Sequence, residues 1–248
     1  MLKTWWSDFK RIPYFDEKWF LTWIIIFVSF IGLDIMTPGF WGSSLLKYAG
    51  IFLCVVYANQ KYEKDYKLVI ALFFTFLADT ILVWTPHEIA GVFVFCFAQL
   101  MHFIRLAKVS RKWLLYFTAI VSGLVIIVGL RHDNILYSLA ALYGSLLFTN
   151  LGLSIQRYRT HNKDFRARCA MYGFIAFVGC DLCVGIRHLM LDGIIPVQFL
   201  PLVAFMVWIF YYPSQVLLAN SSTEPIRTTP HKLIRKKSRK VAKKSTIS

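Results

Sequence analysis

The chain has 248 residues, of which 57% are apolar and 17% charged, with 22 Phe, 8 Trp and 12 Tyr. At a mean hydropathy of +0.56, with the apolar residues gathered into long runs, it fits a polytopic membrane protein and excludes a secreted module, a disordered chain and an ordinary water-soluble enzyme. The net charge of +15 raises the question of nucleic acid, but lipid-facing helices offer no continuous basic face for it, so no such partner is expected.

Residues 1–18 form a lead in which Trp5, Trp6 and Phe9 alternate with Lys3, Lys10, Arg11 and Lys18, the pattern of an interfacial anchor. Hydrophobic runs follow at 19–35, 43–58, 68–84, 88–104, 113–130, 135–153, 171–186 and 196–219. Each is near the length that crosses a hydrocarbon core at 1.5 Å per residue. The expectation is therefore an all-α bundle of eight transmembrane helices over residues 19–219. No small-residue cleavage pattern follows the first run, so it is expected to be a retained helix. Residues 220–248 turn polar and basic, including Lys232, Arg235, Lys236, Lys237, Lys243 and Lys244. Such a tail is expected to be disordered in water and drawn to anionic inner-leaflet lipids, with specific headgroup or RNA binding as the alternative.

Lys and Arg supply an independent check. Of 28, 25 fall in the lead, in the turns at 59–67, 105–112 and 154–170, and in the tail, whereas the alternate turns hold only Arg131 and Arg187. That alternation is the positive-inside bias, and it places both termini in the cytoplasm of a multi-pass cell-membrane protein.

Ionisable residues at membrane depth are costly and therefore informative. Asp79 lies in Leu72-Phe-Phe-Thr-Phe-Leu-Ala-Asp79, and Asp181 in Gly173-Phe-Ile-Ala-Phe-Val-Gly-Cys-Asp181. Both spans run from inside to outside, so the acids reach similar depths in the outer half of the bilayer and are able to face one another. Two matched carboxyls can share a proton, leaving one acid and one base. The alternatives are a bound cation or proton pathway and plain hydrogen bonding between packed helices.

Lys47 enters the second span from its outer side, where its ammonium snorkels to the interface or meets a carboxylate or an anionic headgroup. Gln99 and His102 share a face of the fourth span, and the last span carries Tyr211, Tyr212 and Gln215. His102, beside a basic turn, reads as packing or a cap as readily as a functional group. Cys180 and Cys183 flank Asp181 without a fourth ligand, so no metal and no cofactor are expected. Serine-hydrolase, zinc-hydrolase, P-loop and dinucleotide motifs are absent.

Taken in order, Lys47, Phe-Leu-Ala-Asp79, Gly91-Val-Phe-Val-Phe95-Cys-Phe-Ala-Gln99-Leu-Met-His102, Gly173 to Asp181 and Tyr211-Tyr-Pro-Ser-Gln215 resemble the YhhN family of lysoplasmalogenase-type membrane proteins over roughly residues 43–219. The resemblance implies an integral membrane hydrolase that cleaves the vinyl-ether bond of a lysophospholipid. It matches the family acids to Asp79 and Asp181 as catalytic groups and the family lysine to Lys47 as a substrate ligand, with Gln99, His102, Tyr211, Tyr212 and Gln215 as further substrate-binding candidates. Where the family usually has His and then Tyr in the fourth span, this chain has Gln99 and His102. A small-solute or lipid transporter and a non-catalytic structural or regulatory protein are the other classes that buried acids allow.

Overall fold

A computed structural model describes residues 17–37, 41–62, 65–107, 135–161 and 164–223, together with residues 120, 123 and 127. Seven apolar helices long enough to cross a membrane lie among them. They are α1 Glu17–Met36, α2 Trp41–Lys61, α3 Tyr66–Trp84, α4 Glu88–Leu106, α5 Ile135–Thr160, α6 Phe165–Leu191 and α7 Leu200–Ala219, the last entered through a 3-10 turn at Val197–Phe199. The protein is an all-α, multi-span membrane bundle. The run expected to be a further span, 113–130, falls outside the described residues apart from residues 120, 123 and 127, as do the lead and the basic tail apart from residues 17–18 and 220–223 at their edges.

Several helices outrun their hydrophobic cores. α5 continues to Thr160 and α6 begins at Phe165, well beyond the apolar runs at 135–153 and 171–186. Hydropathy reports where lipid ends, whereas a helix ends where its backbone is capped. Asp164 caps α6 by accepting from the Arg166 amide at 3.0 Å, and Asp65 caps α3 by accepting from the Leu68 amide at 3.2 Å. At its far end α6 closes in a Schellman turn: Gly193, at φ 77°, donates to Met190 O at 3.1 Å, and Ile194 donates to Leu189 O at 2.9 Å.

Sequential helices pack side by side from α1 to α4 and from α5 to α7, α4 packs on α5, and α7 returns against α2, α1 and α3. The two ends of the bundle are chemically different. Arg105 at the end of α4 and Arg157 near the end of α5 both reach Ser221, just past α7. Pro86, His87 and Glu88 line a groove with Ile135 and Leu136 at the opposite end. We call the first the basic end. Ala107, which caps α4, and Ile135, which opens α5, therefore lie at opposite ends.

Lipid tails are as apolar as Leu, so helix association in a membrane depends on close packing and internal hydrogen bonds rather than on burial of apolar area. The outward faces carry Ile25, Val28, Phe52, Phe73 and Phe148, all exposed to where lipid would be. Inside, α7 lies close enough to α2 that a Cβ on Gly50 would overlap the Tyr212 ring. Gly144 on α5 has nothing within 4 Å of such an atom. Gly50→Ala is therefore expected to destabilise the bundle by about 1–3 kcal/mol through overpacking, whereas Gly144→Ala gains helix propensity and leaves the melting temperature unchanged or higher. Thermal unfolding of the two variants in one detergent checks this, and equal shifts would contradict the close α2–α7 approach.

Candidate active site

Asp79 stands on α3, five residues before its end, and Asp181 on α6; both are half-buried. Each is held by a phenol from another helix. Tyr211 of α7 donates to Asp79 Oδ2 at 2.5 Å, and Tyr143 of α5 donates to Asp181 Oδ2 at 2.6 Å. Tyr48 of α2 adds a bond to the Asp79 backbone carbonyl at 2.8 Å. The two acids are within electrostatic range of one another, so five helices meet at one pair of carboxyls. Phe95 and Phe177 underlie them: Phe177 packs on the Tyr211 ring at 5.6 Å, Phe95 on the Tyr143 ring at 5.7 Å, and the two on each other at 6.3 Å.

The phenols use only one oxygen of each carboxyl. Among the described residues, Oδ1 of Asp79 and of Asp181 has no protein partner. A carboxyl fixed through one oxygen with the other open is chemically able to give or take a proton, and two such groups within electrostatic range of one another are able to divide the roles of acid and base. Among the described residues, no three His, Cys, Asp or Glu side chains converge to hold a metal ion.

A second polar layer lies toward the basic end. Asn150 of α5 donates to Gln99 Oε1 and to the Gln99 carbonyl, each at 2.9 Å. One turn further along α4, His102 Nδ1 lies 3.1 Å from Arg105 Nη2, with the imidazole edge-on to Phe174 at 5.3 Å. Gln215, one turn past Tyr211, bonds Ser214 at 3.2 Å. Gln99, His102, Asn150 and Gln215 are all fully buried.

Below this layer the chain leaving α7 is clamped. Arg105 donates to Ser221 O at 2.8 Å and to Ser221 Oγ at 3.1 Å, and Arg157 to Ser221 O at 3.1 Å and Ser222 O at 2.9 Å. Asp65 Oδ2 accepts from Ser222 Oγ at 2.8 Å and from the Thr223 amide at 2.9 Å, and lies 4.0 Å from Arg105. The ends of α3, α4, α5 and α7 are thereby tied together.

Lys47 sits elsewhere. Its ammonium meets Asp34 of α1 at 2.7 Å and lies over the rings of Trp208 at 4.8 Å and Phe30 at 5.5 Å, while Ser43 donates to the other oxygen of Asp34. Tyr212 belongs to this same α1–α2–α7 side: its hydroxyl donates to the Trp23 carbonyl at 3.3 Å and its ring stacks on Phe27 at 5.5 Å. The adjacent tyrosines thus part, Tyr211 to the acids and Tyr212 to the α1 aromatics. The groove at the end opposite the basic one, about 640 Å³ and lined by His87, Phe93 and Leu139 among others, includes none of the expected site residues.

Asp34, Tyr143 and Asn150 escape a reading by hydropathy. Asp34 looks like a charge at a span end and Tyr143 like one aromatic among many; the available signal was spacing, since Tyr143, Asn150 and Arg157 recur every seven residues on one stripe of α5.

No curated protein and no solved structure matches the chain. The acid pair, the α4 polar stripe and the Tyr211–Gln215 segment all fall within residues 42–222, which match the YhhN family model, and the chain belongs to the YhhN family.

Proposed function

We propose that this protein is a lysoplasmalogenase-type hydrolase in which Asp79 and Asp181 cleave the vinyl-ether bond of a lysophospholipid at membrane depth. Membership in the YhhN family supports this reading through the activity that the resemblance implies, and the observation that carries it is two carboxyls from different helices, each held by one phenol through one oxygen, within range of each other.

Vinyl-ether hydrolysis begins with proton transfer to the alkene carbon remote from oxygen. This moves the alkene electron pair onto the new C–H bond and leaves an oxocarbenium ion. A neutral carboxylic acid gives that proton, and the neighbouring carboxylate stabilises the cation and takes a proton from the water that adds to it. The hemiacetal then collapses, breaking the carbon–oxygen bond to give an aldehyde and the glycerol hydroxyl. One water is consumed and the acid pair is restored. Tyr143 and Tyr211 orient the carboxyls for this exchange, and Gln99, His102 and Gln215 form the polar floor beneath them.

Lys47 would hold the headgroup phosphate by exchanging Asp34 for it, with Tyr212 supporting that side of α7 through Trp23 and Gly50. The single lipid chain lies among the Phe side chains. The basic end faces the cytoplasm in this reading, because the Lys- and Arg-rich turns lie there, and the tail meets anionic inner-leaflet lipids.

Purified protein is expected to release aldehyde from a vinyl-ether lysophospholipid and none from the ester analogue. Asp79→Asn and Asp181→Asn should each lower kcat by roughly 100-fold or more with unchanged melting temperature. A double variant that retains activity would refute the acid pair. For the Lys47 side, Lys47→Met leaves Asp34 with Ser43 but without its counter-ion and should cost stability, about 1–3 kcal/mol, while Asp34→Leu combined with Lys47→Met recovers much of it. If Lys47 holds phosphate, the double variant still shows a raised KM; wild-type KM in that variant would remove Lys47 from the site.

A further inference from the structure

Four fully buried polar side chains lie between the acid pair and the Arg105 clamp, and each has one atom with no protein partner among the described residues: Gln99 Nε2, His102 Nε2, Asn150 Oδ1 and Gln215 Oε1. Their chemistry is complementary. Guanidinium only donates, so the contact from Arg105 Nη2 makes His102 Nδ1 an acceptor and leaves the imidazole hydrogen on Nε2. His102 Nε2 and Gln99 Nε2 are then donors, and Asn150 Oδ1 and Gln215 Oε1 are acceptors. Buried polar atoms of this kind are satisfied in native proteins by protein groups or by ordered water, and a water bridging such a set takes several of them at once.

The groups are aligned along the bundle. On α4, Gln99, His102 and Arg105 follow at intervals of three; on α5, Tyr143, Asn150 and Arg157 at intervals of seven; on α7, Gln215 lies four residues past Tyr211. The α5 and α7 stripes start at the phenols that hold Asp181 and Asp79. The α4 and α5 stripes end at the arginines on Ser221, and Asn150 bridges α5 to α4 midway.

We propose that this column binds ordered water and delivers it to the Asp79–Asp181 pair from the basic end, leaving the half-exposed side of the acids to the lipid. The delivery role rests on the hydrolase reading above; the hydration of the column does not. In vinyl-ether hydrolysis this water adds to the oxocarbenium carbon, one proton passing to the carboxylate and the oxygen remaining on the product aldehyde. Gln99, His102, Asn150 and Gln215 are positioning residues for it.

Phe174 and Phe30 provide a matched pair of reporters, since both are 0% exposed but Phe174 touches His102 whereas Phe30 packs in the α1–α7 aromatic cluster. Hydroxyl radicals generated by X-rays from internal water label side chains beside that water. For the full chain in lipid nanodiscs, Phe174 is expected to label at least several-fold faster than Phe30; equal protection of the two would overturn the hydrated column. A Gln99→Leu/Asn150→Leu variant, which removes both partners of one bond, should bring Phe174 down to the Phe30 rate and lower kcat about tenfold with KM unchanged. If that variant does not fold, Gln215→Met serves the same purpose. A dry column with undiminished kcat would overturn water delivery. Fast Phe174 labelling in a wild type that releases no aldehyde would support the hydrated column and count against the hydrolase reading alone.

Discussion

Hydrocarbon offers no partner to a carboxylate, an amide or a guanidinium, so each such group at membrane depth must find its partner inside the protein. That constraint sets the rotation of every helix in the bundle around the acids. Asp79 fixes α3 against α7 through Tyr211, Asp181 fixes α6 against α5 through Tyr143, and Asn150 fixes α5 against α4 through Gln99. Were any of these helices turned by one residue, about 100°, its polar group would face lipid. The apolar exterior therefore follows from the polar interior, with α7 as the shared element because it contributes Tyr211 on one side and Tyr212 on the other.

The polar interior is also graded along the bundle. The acids with their phenols lie away from the basic end, neutral amides and the imidazole occupy the middle, and the arginines close the column on the Ser221 backbone. Opposite charges are separated by uncharged hydrogen-bonding groups, so the acids are not neutralised by the arginines. In the proposed reaction, a carboxyl pair without a fixed cation beside it keeps its capacity to exchange a proton. Lys47, which also lies at membrane depth, is engaged by Asp34. Asp34 lies on α1, outside the 42–222 family match, so the first helix supplies the counter-ion of Lys47.

The all-α, multi-span bundle was legible in the sequence because hydropathy reports directly on lipid. That Asp79 and Asp181 would meet partners inside the bundle was legible because an acid in an apolar run is costly unless another helix satisfies it. Their phenol partners were not, since Tyr211 lies 132 residues from Asp79 and Tyr143 lies 38 from Asp181, and a tyrosine among many aromatics carries no mark of its contact. Asp34 was hidden for a different reason: a charge in the last turn of a span is ordinary until a buried lysine is found against it. The lengths of α5 and α6 were underestimated because capping by Asp164 and the reach of Arg157 to Ser221 act on residues that hydropathy scores as loop.

In the proposed reaction a carboxylic acid of the Asp79–Asp181 pair protonates the alkene carbon of a vinyl ether. Turnover of a vinyl-ether lysophospholipid in D₂O, with the aldehyde trapped as it forms, tests it at the atom concerned. Protonation by the acid pair places one deuterium on the carbon next to the aldehyde carbonyl and makes turnover slower than in H₂O. Aldehyde carrying no solvent deuterium at that carbon would contradict it.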